Sequence, residues 1–414
     1  MQTIQWRAQA VAISCITLTS ALAAETPAAV PQTDAAGISQ KAAYLNNLAA
    51  AFSSEAHYAE AEQHYRKALE LWQLQPGNEA SVAVTLSNLG ILLRRQARYS
   101  EAEIVDLQAL KMLEELLGPE HEKTATALNN IGELYSMQGR FVEAEASLRR
   151  SLFILEKTRG KDDPNTAEAM AGLADLYTKQ GKNEAAQQLL ERSLDMVEKA
   201  FGPMSHRAAL NLNNLSAVYE HQQKYREAEK SVQRAIAILE QTTGPNHPDL
   251  AAALINLASI CFDRHRYKTA MELDLRALKI NEAAFGPVHP VIATSLNNLG
   301  AVSFHLHNYA GAETFFQQAL SNWRGSNSPN QVLMGDTLRN LGMVYVAEGR
   351  NSDALESYKR AIEIHEAADG PNCPPLIADL EAYAGVLRRV NDYAGAEKAS
   401  VRALGIQVRN SLHP

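Results

Sequence analysis

A chain of 414 residues with 46% hydrophobic and 21% charged side chains excludes a wholly disordered protein and a polytopic membrane protein. The formal charge of −8 argues against nonspecific nucleic-acid binding, which needs a basic surface to neutralise phosphates. Three cysteines, Cys15, Cys261 and Cys373, lie too far apart for a disulfide scaffold or a clustered metal site.

Residues 1–24 (MQTIQWRAQAVAISCITLTSALAA) carry Arg7, an apolar stretch from Ala8 to Leu22 and a small-residue close. This is a secretory signal pattern, and Ala21 and Ala23 predict cleavage after Ala23. The stretch is too short for a stable membrane span and is diluted by Ser and Thr. The expectation is an exported protein, periplasmic or secreted, from a bacterium. Residues 25–37 (ETPAAVPQTDAAG) have prolines, small residues and no apolar periodicity, and are expected to form a linker.

From there one spacing governs the chain. The tetrads beginning at Leu45, Leu86, Leu128, Leu212, Leu254, Leu296 and Leu338, with weaker copies at Met170 and Leu380, recur after a first step of 41 and then every 42 residues. Ala follows sixteen residues later each time, at Ala61, Ala102, Ala144, Ala186, Ala228, Ala270, Ala312, Ala354 and Ala396. A Leu or Ile column runs from Leu69 through Leu110 and Leu152 to Leu404. The nine units are 38–78, 79–120, 121–162, 163–204, 205–246, 247–288, 289–330, 331–372 and 373–414. Within each, apolar spacing is helical twice over: Leu128, Ile131, Gly132 and Tyr135 share one face, and Ala144, Leu148, Ser151 and Leu152 share another. Ser100 and Glu103 have capping-box spacing, and Pro248 and Pro290 suit a first helical turn. No unit can bury its own apolar face, so the predicted fold is an all-α superhelical solenoid of nine stacked helix-turn-helix units.

The pattern of Leu338, Leu341, Gly342, Tyr345, Ala354, Tyr358 and Ala361 resembles the tetratricopeptide repeat. The 42-residue length, the LNNLG tetrad and the Gly-Pro-x-His-Pro closing turn are similar to the longer kinesin light chain type, against the common 34 residues. The resemblance implies that the first helix of each unit lines a concave groove receiving protein or peptide ligands. Carried over by column, it places Asn47, Asn88, Asn130, Asn214, Asn256, Asn298 and Asn340 as a ladder able to pair with a peptide backbone, interrupted at Gly172 and Ala382. The alternative is that these amides bond to a neighbouring helix and fix the stacking. Arg94, Arg95, Arg339, Arg388 and Arg389 lie beside the ladder as carboxylate clamps or as solvated charge. Phe262 and Phe304 share one column as an apolar anchor or as core.

His121, His206, His247 and His289 recur beside the closing turn and read as structural; His305 and His307 point apart, against metal binding. No phosphate loop, nucleophile elbow or paired carboxylate stands outside the repeat, so the expectation is a binding scaffold with no cofactor and no catalysis. Val401, Leu404, Ile406 and Val408 in the final helix suggest a surface for end-to-end self-association or docking.

Overall fold

The computed structural model describes residues 35–74, 76–326 and 330–412. The signal segment and residues 25–34 lie outside the described residues. Eighteen helices are present: α1 (Ala35–Ser54), α2 (Tyr58–Gln73), α3 (Glu79–Arg95), α4 (Tyr99–Leu117), α5 (Glu122–Met137), α6 (Phe141–Thr158), α7 (Thr166–Lys179), α8 (Asn183–Phe201), α9 (His206–His221), α10 (Tyr225–Thr242), α11 (Pro248–Asp263), α12 (Tyr267–Phe285), α13 (Pro290–His305), α14 (Tyr309–Gly325), α15 (Gln331–Ala347), α16 (Asn351–Asp369), α17 (Pro375–Arg389) and α18 (Tyr393–Leu412). The fold is an all-α repeat solenoid. Helix α1 starts at Ala35 rather than Ile38, so the end of the expected linker is already helical. The described residues up to Ile260 form one compact unit and those from Cys261 onward another.

Each helical hairpin turns on one left-handed residue. In the third repeat Arg140 N donates to Tyr135 O at 2.9 Å and Gly139 N to Ser136 O at 3.2 Å, the paired bonds that close a helix through a residue with positive φ. Gly139, Gly181 and Gly349 fill this place without strain, but Gln223, His265 and His307 also adopt φ of 59 to 60° there. The repeat geometry is strong enough to impose the turn on residues that disfavour it. The expected capping box at Ser100 is not formed: Arg98 is the N-cap of α4, and Glu103 instead accepts from Gln138 and Arg140 of the following repeat. The long Glu side chain finds a stronger, charged donor across the repeat boundary.

Odd-numbered helices form the inner layer. Successive ones touch from α1 through α9 in the first unit, and from α13 through α17 in the second. Within a hairpin the axes approach closely because a small residue on the first helix faces a large one on the second. A Cβ at Gly132 would lie 2.6 Å from Leu148 Cγ, at Gly300 2.6 Å from Phe316 Cε1, and at Gly342 2.6 Å from Tyr358 Cε1. The alanine column beside this contact is sealed, with Ala61, Ala144, Ala228 and Ala312 all at 0% exposure.

Asp106 occupies the place of Leu148 in the second repeat, against Gly90, and neither of its buried carboxyl oxygens has a hydrogen-bond partner among the described residues. Burial pushes this carboxyl up to about 7, with Arg94 opposing the shift. Asp274 takes the same column in the second unit, and burial raises its carboxyl well above the usual range. Because the folded state holds the proton of Asp106 to higher pH than the unfolded chain does, its neutral form is harmless in acid. Stability is lost as pH climbs from about 4 towards 7. Asp106→Leu, which copies the third repeat, is therefore expected to raise the urea midpoint of unfolding, by about 2 kcal/mol more at pH 8 than at pH 5. An equal gain at both pH values would show that the carboxyl does not titrate in the fold.

Candidate functional site: the inner ladder and the repeat seams

The asparagine ladder sits on the inner helices, and its members differ in access. Asn47 is exposed, Asn88 and Asn340 are half-buried, and Asn130, Asn214, Asn256 and Asn298 are buried. Helix α9 is enclosed on every face from Ala208 to Val218. The amides run along the array: Asn88 Nδ2 donates to Asn46 Oδ1 at 3.3 Å, Asn256 Nδ2 to Asn213 Oδ1 at 2.9 Å, and Asn340 Nδ2 to Asn297 Oδ1 at 3.3 Å. In each case the single Asn of one tetrad, at its third position, reaches the first of the two Asn residues in the repeat before. At the expected gap, Gly172, Asn129 turns to donate to Glu133 at 2.9 Å. These contacts are those of stacking, and the buried members present no surface to a peptide backbone. A doubled Asn-Asn followed one repeat later by a single Asn was the sequence signal for this pairing.

Arg94 is likewise no surface clamp. It is 3% exposed and donates to Asn130 O at 2.6 Å and Glu133 Oε2 at 3.0 Å, while burial pushes the Glu133 carboxyl up to about 7. Arg339 pairs with Asp379 at 3.0 Å and with Asp336. Asp379 also meets His365 Nδ1 at 2.5 Å, and His365 Nε2 faces Val332 O at 3.0 Å, closing a buried network. Phe262 is buried, edge-on to His305 at 5.0 Å and Tyr267 at 5.4 Å; Phe304 is half-buried, with Tyr309 at 5.5 Å. Their column also holds Ser53, Arg94, Ser136 and Thr178, all buried, and exposed Arg388, so access varies along it and Phe262 is core.

His121, His247 and His289 serve as caps: each Nδ1 accepts from the backbone N–H two residues on, at 3.1 to 3.2 Å. His206 falls one position later than these three and is no cap, because Ser205 is the N-cap of α9. His206 Nε2 instead meets Asp249 at 2.8 Å, and His247 Nε2 meets Ser54 O at 2.8 Å, so within the first unit the end of α1 lies against the start of α11. Burial would raise the Asp249 carboxyl, but the hydrogen bond from His206 and the charge of Arg95 hold it well below the usual range. His305 stacks on Tyr267 at 4.8 Å, and His307 Nδ1 meets Tyr309 OH at 3.1 Å. Among the described residues no group of three or more His, Cys, Asp or Glu side chains is placed to hold a metal ion, and no helix is long and apolar enough to cross a membrane.

A sequence model described as Tetratricopeptide repeat matches residues 40–115, 81–157, 139–199, 207–283, 249–325, 291–367 and 333–407. The chain belongs to the tetratricopeptide repeat family. No curated protein matches it in sequence. Among solved structures it is similar to a signal transduction ATPase with a tetratricopeptide repeat sensor from Pyrococcus horikoshii (18% identity, 85% of this chain and 54% of that one, TM-score 0.57). It is also similar to the apo form of RapI (12%, 69% and 98%, TM-score 0.50) and to a putative kinesin light chain from Podosopora anserina (19%, 49% and 96%, TM-score 0.42). At these identities the likeness is one of fold.

Between tetratricopeptide repeats the surface carries two polar seams that the sequence reading did not single out. In the first, the cation that opens a second helix reaches a Glu of the preceding repeat: Arg98 to Glu62 at 2.6 Å, Arg140 to Glu103 at 2.7 Å, Lys182 to Glu145 at 3.4 Å and Arg350 to Glu313 at 2.9 Å. The same cations cover the repeat's tyrosine, with Arg140 4.0 Å from the Tyr135 ring centroid and Arg350 4.2 Å from that of Tyr345. In the second seam Arg150 meets Glu114 at 2.7 Å, Arg192 meets Glu156 at 3.4 Å, Arg234 meets Glu198 at 2.7 Å, and Arg402 pairs with Glu366. Recurrence at one repeat's separation was visible in the sequence as matched Glu and Arg columns.

The last repeat ends on a different surface. Leu69 packs against Val82 and Leu86, Leu152 against Ala167 and Met170, and Ile362 against Leu376 and Leu380, each under the following repeat. Leu404, the next member of that column, is 59% exposed, flanked by exposed Val401 and Val408, while Ile406 is buried at 0%.

If the ladder fixes stacking, removing one rung lowers stability. Asn256→Ala deletes the 2.9 Å bond to Asn213 and is expected to cost about 1 kcal/mol in urea unfolding. An unchanged midpoint would return the ladder to ligand capture.

Proposed function

We propose that this chain is an exported, non-catalytic scaffold that holds protein partners on the solvent-facing surfaces of its repeat array. The observation that carries this reading is the apolar material left outside: Ile104, Val142 and Phe153 are 67%, 83% and 59% exposed on α4 and α6 of the first unit. Large apolar side chains on the outside of a well-packed array are the anchors that interfaces use. The inner layer, by contrast, is occupied by the chain's own contacts, and of the ladder only Asn47, Asn88 and Asn340 keep some access for a groove ligand. The His365–Asp379 pair has the separation of a catalytic dyad, but it is fully buried and its second nitrogen is engaged by Val332, which supports the reading without catalysis.

Export is read from the signal pattern alone. Fractionation of the native cell should place the full chain outside the cytoplasm with Ala24 as its first residue, and a cytoplasmic protein beginning at Met1 would remove this part of the reading. The scaffold itself is tested by cross-linking in that compartment. Ile104→Glu with Phe153→Glu should lose partners that Asn256→Ala retains; identical partner sets in both variants would sink the outer-face reading.

The exposed end of the ninth repeat favours a second reading, an architectural subunit that joins copies or partners through Leu404, Val401 and Val408. Light scattering at micromolar concentration should then report a mass above that of one chain, which Leu404→Glu returns to that of the monomer. A monomer in both proteins would leave only the outer-face reading.

A further inference from the structure

The two columns of the second polar seam do not keep Glu and Arg throughout: they hold Gln73 with Gln108 and Glu282 with Gln318, and at one place the charge is reversed. In four interfaces a Glu near the end of a second helix receives the Arg of the following repeat, in the pairs Glu114–Arg150, Glu156–Arg192, Glu198–Arg234 and Glu366–Arg402. Between α14 and α16 the same two columns hold Arg324 and Arg360. Both arginines line one cleft of about 350 Å³ between α14, α15 and α16, over Leu320, Leu338 and Leu341. Both are exposed, and among the described residues neither has an ion pair or hydrogen bond.

The other charges of the cleft do not neutralise this pair. Arg350 and Asp353 are bound to each other at 2.7 Å, and Arg350 also holds Glu313 at 2.9 Å and Glu348 at 3.1 Å. Glu356 lines the cleft one turn before Arg360 on the same helix but makes no ion pair with it among the described residues. Arg324 is left as the cation without a counter-charge. Two guanidinium groups facing one space repel each other, and an outside carboxylate relieves that repulsion while gaining charge-assisted bonds.

We propose that this cleft binds an acidic segment of a partner protein. An Asp or Glu side chain of the segment takes the place that the repeat's own Glu holds in the sister interfaces. A carboxylate is the fitting anion because the same pair of columns holds one at 2.7 Å in two sister interfaces. The inference rests on the scaffold reading and names one of its contacts.

The test is fluorescence anisotropy on the full chain with a short labelled peptide carrying Glu residues in a Gly/Ser background. The same peptide with Gln for Glu should bind about tenfold more weakly or worse. Arg324→Glu rebuilds the internal pair with Arg360, so it should keep its thermal midpoint and lose at least about tenfold in affinity. Arg324→Gln, which copies Gln73 of the first repeat, should lose affinity in the same direction and guards against a folding artefact. Arg409→Glu, which reverses an exposed charge on α18, should bind as the parent does. Equal binding of the Glu and Gln peptides, parental affinity in both Arg324 variants, or an equal loss in Arg409→Glu would overturn the proposal. Such a failure leaves the cross-linking result at Ile104 and Phe153 untouched, so the scaffold and the cleft fail separately.

Discussion

The close approach of two helices inside each hairpin is the constraint from which the rest follows. Gly132 under Leu148, Gly300 under Phe316 and Gly342 under Tyr358 pair absence of bulk with bulk, and the alanine column beside them leaves no space to slip. A hairpin fixed in this way presents the same faces every 42 residues. Stacking then repeats one interface, and each surface column recurs at one spacing along a quasi-one-dimensional array. The two Arg–Glu seams are a product of this regularity rather than its cause. Exposed ion pairs of this kind are each worth at most about 1 kcal/mol, too little to set the stacking that apolar burial has already chosen.

The polar interior has a different role. An apolar column tolerates a small axial shift, whereas an amide that must find another amide at about 3 Å does not. The bonds Asn88 to Asn46, Asn256 to Asn213 and Asn340 to Asn297 therefore act as register marks between successive inner helices. Arg94 with Glu133, and Arg339 with Asp379 and His365, do the same with charge. Breaking any one of these leaves a buried group without its partner, which is why such networks discourage misaligned stacking more than they add stability.

Most of the fold was legible because repetition supplies its own alignment: nine copies separate what the backbone needs from what any one position happens to contain. The helices, the turns and the alanine column could be read in that way. The site was harder to read, for a physical reason. A column shows that a residue type recurs but not which side of a helix is covered, and an inner helix such as α9 is covered on all sides. Asn on such a helix is indistinguishable in sequence from Asn on an open groove. Arg94 and Phe262 misled in the same manner, since a partly buried column accepts a large side chain wherever Ser or Thr elsewhere leaves room. The capping box at Ser100 failed because Glu103 had a better donor in the next repeat, a contact outside the local window.

Departures from the repeat are informative in proportion to how strictly the column is otherwise kept. Asp106 and Asp274 depart in the core and carry a burial penalty that a Leu would not. Arg324 departs on the surface, where a reversed charge is tolerated by the fold because the seam contributes little to stacking. Leu404 keeps its column but is 59% exposed, where Leu69 and Leu152 are half-buried and Ile362 is buried. The solenoid has latitude at the last two kinds of position and almost none at the first. A chain built from one repeated unit can acquire specificity for a partner only where its columns are free to differ, and here those places are the cleft beside Arg324, the outer faces of α4 and α6, and the exposed end of α18.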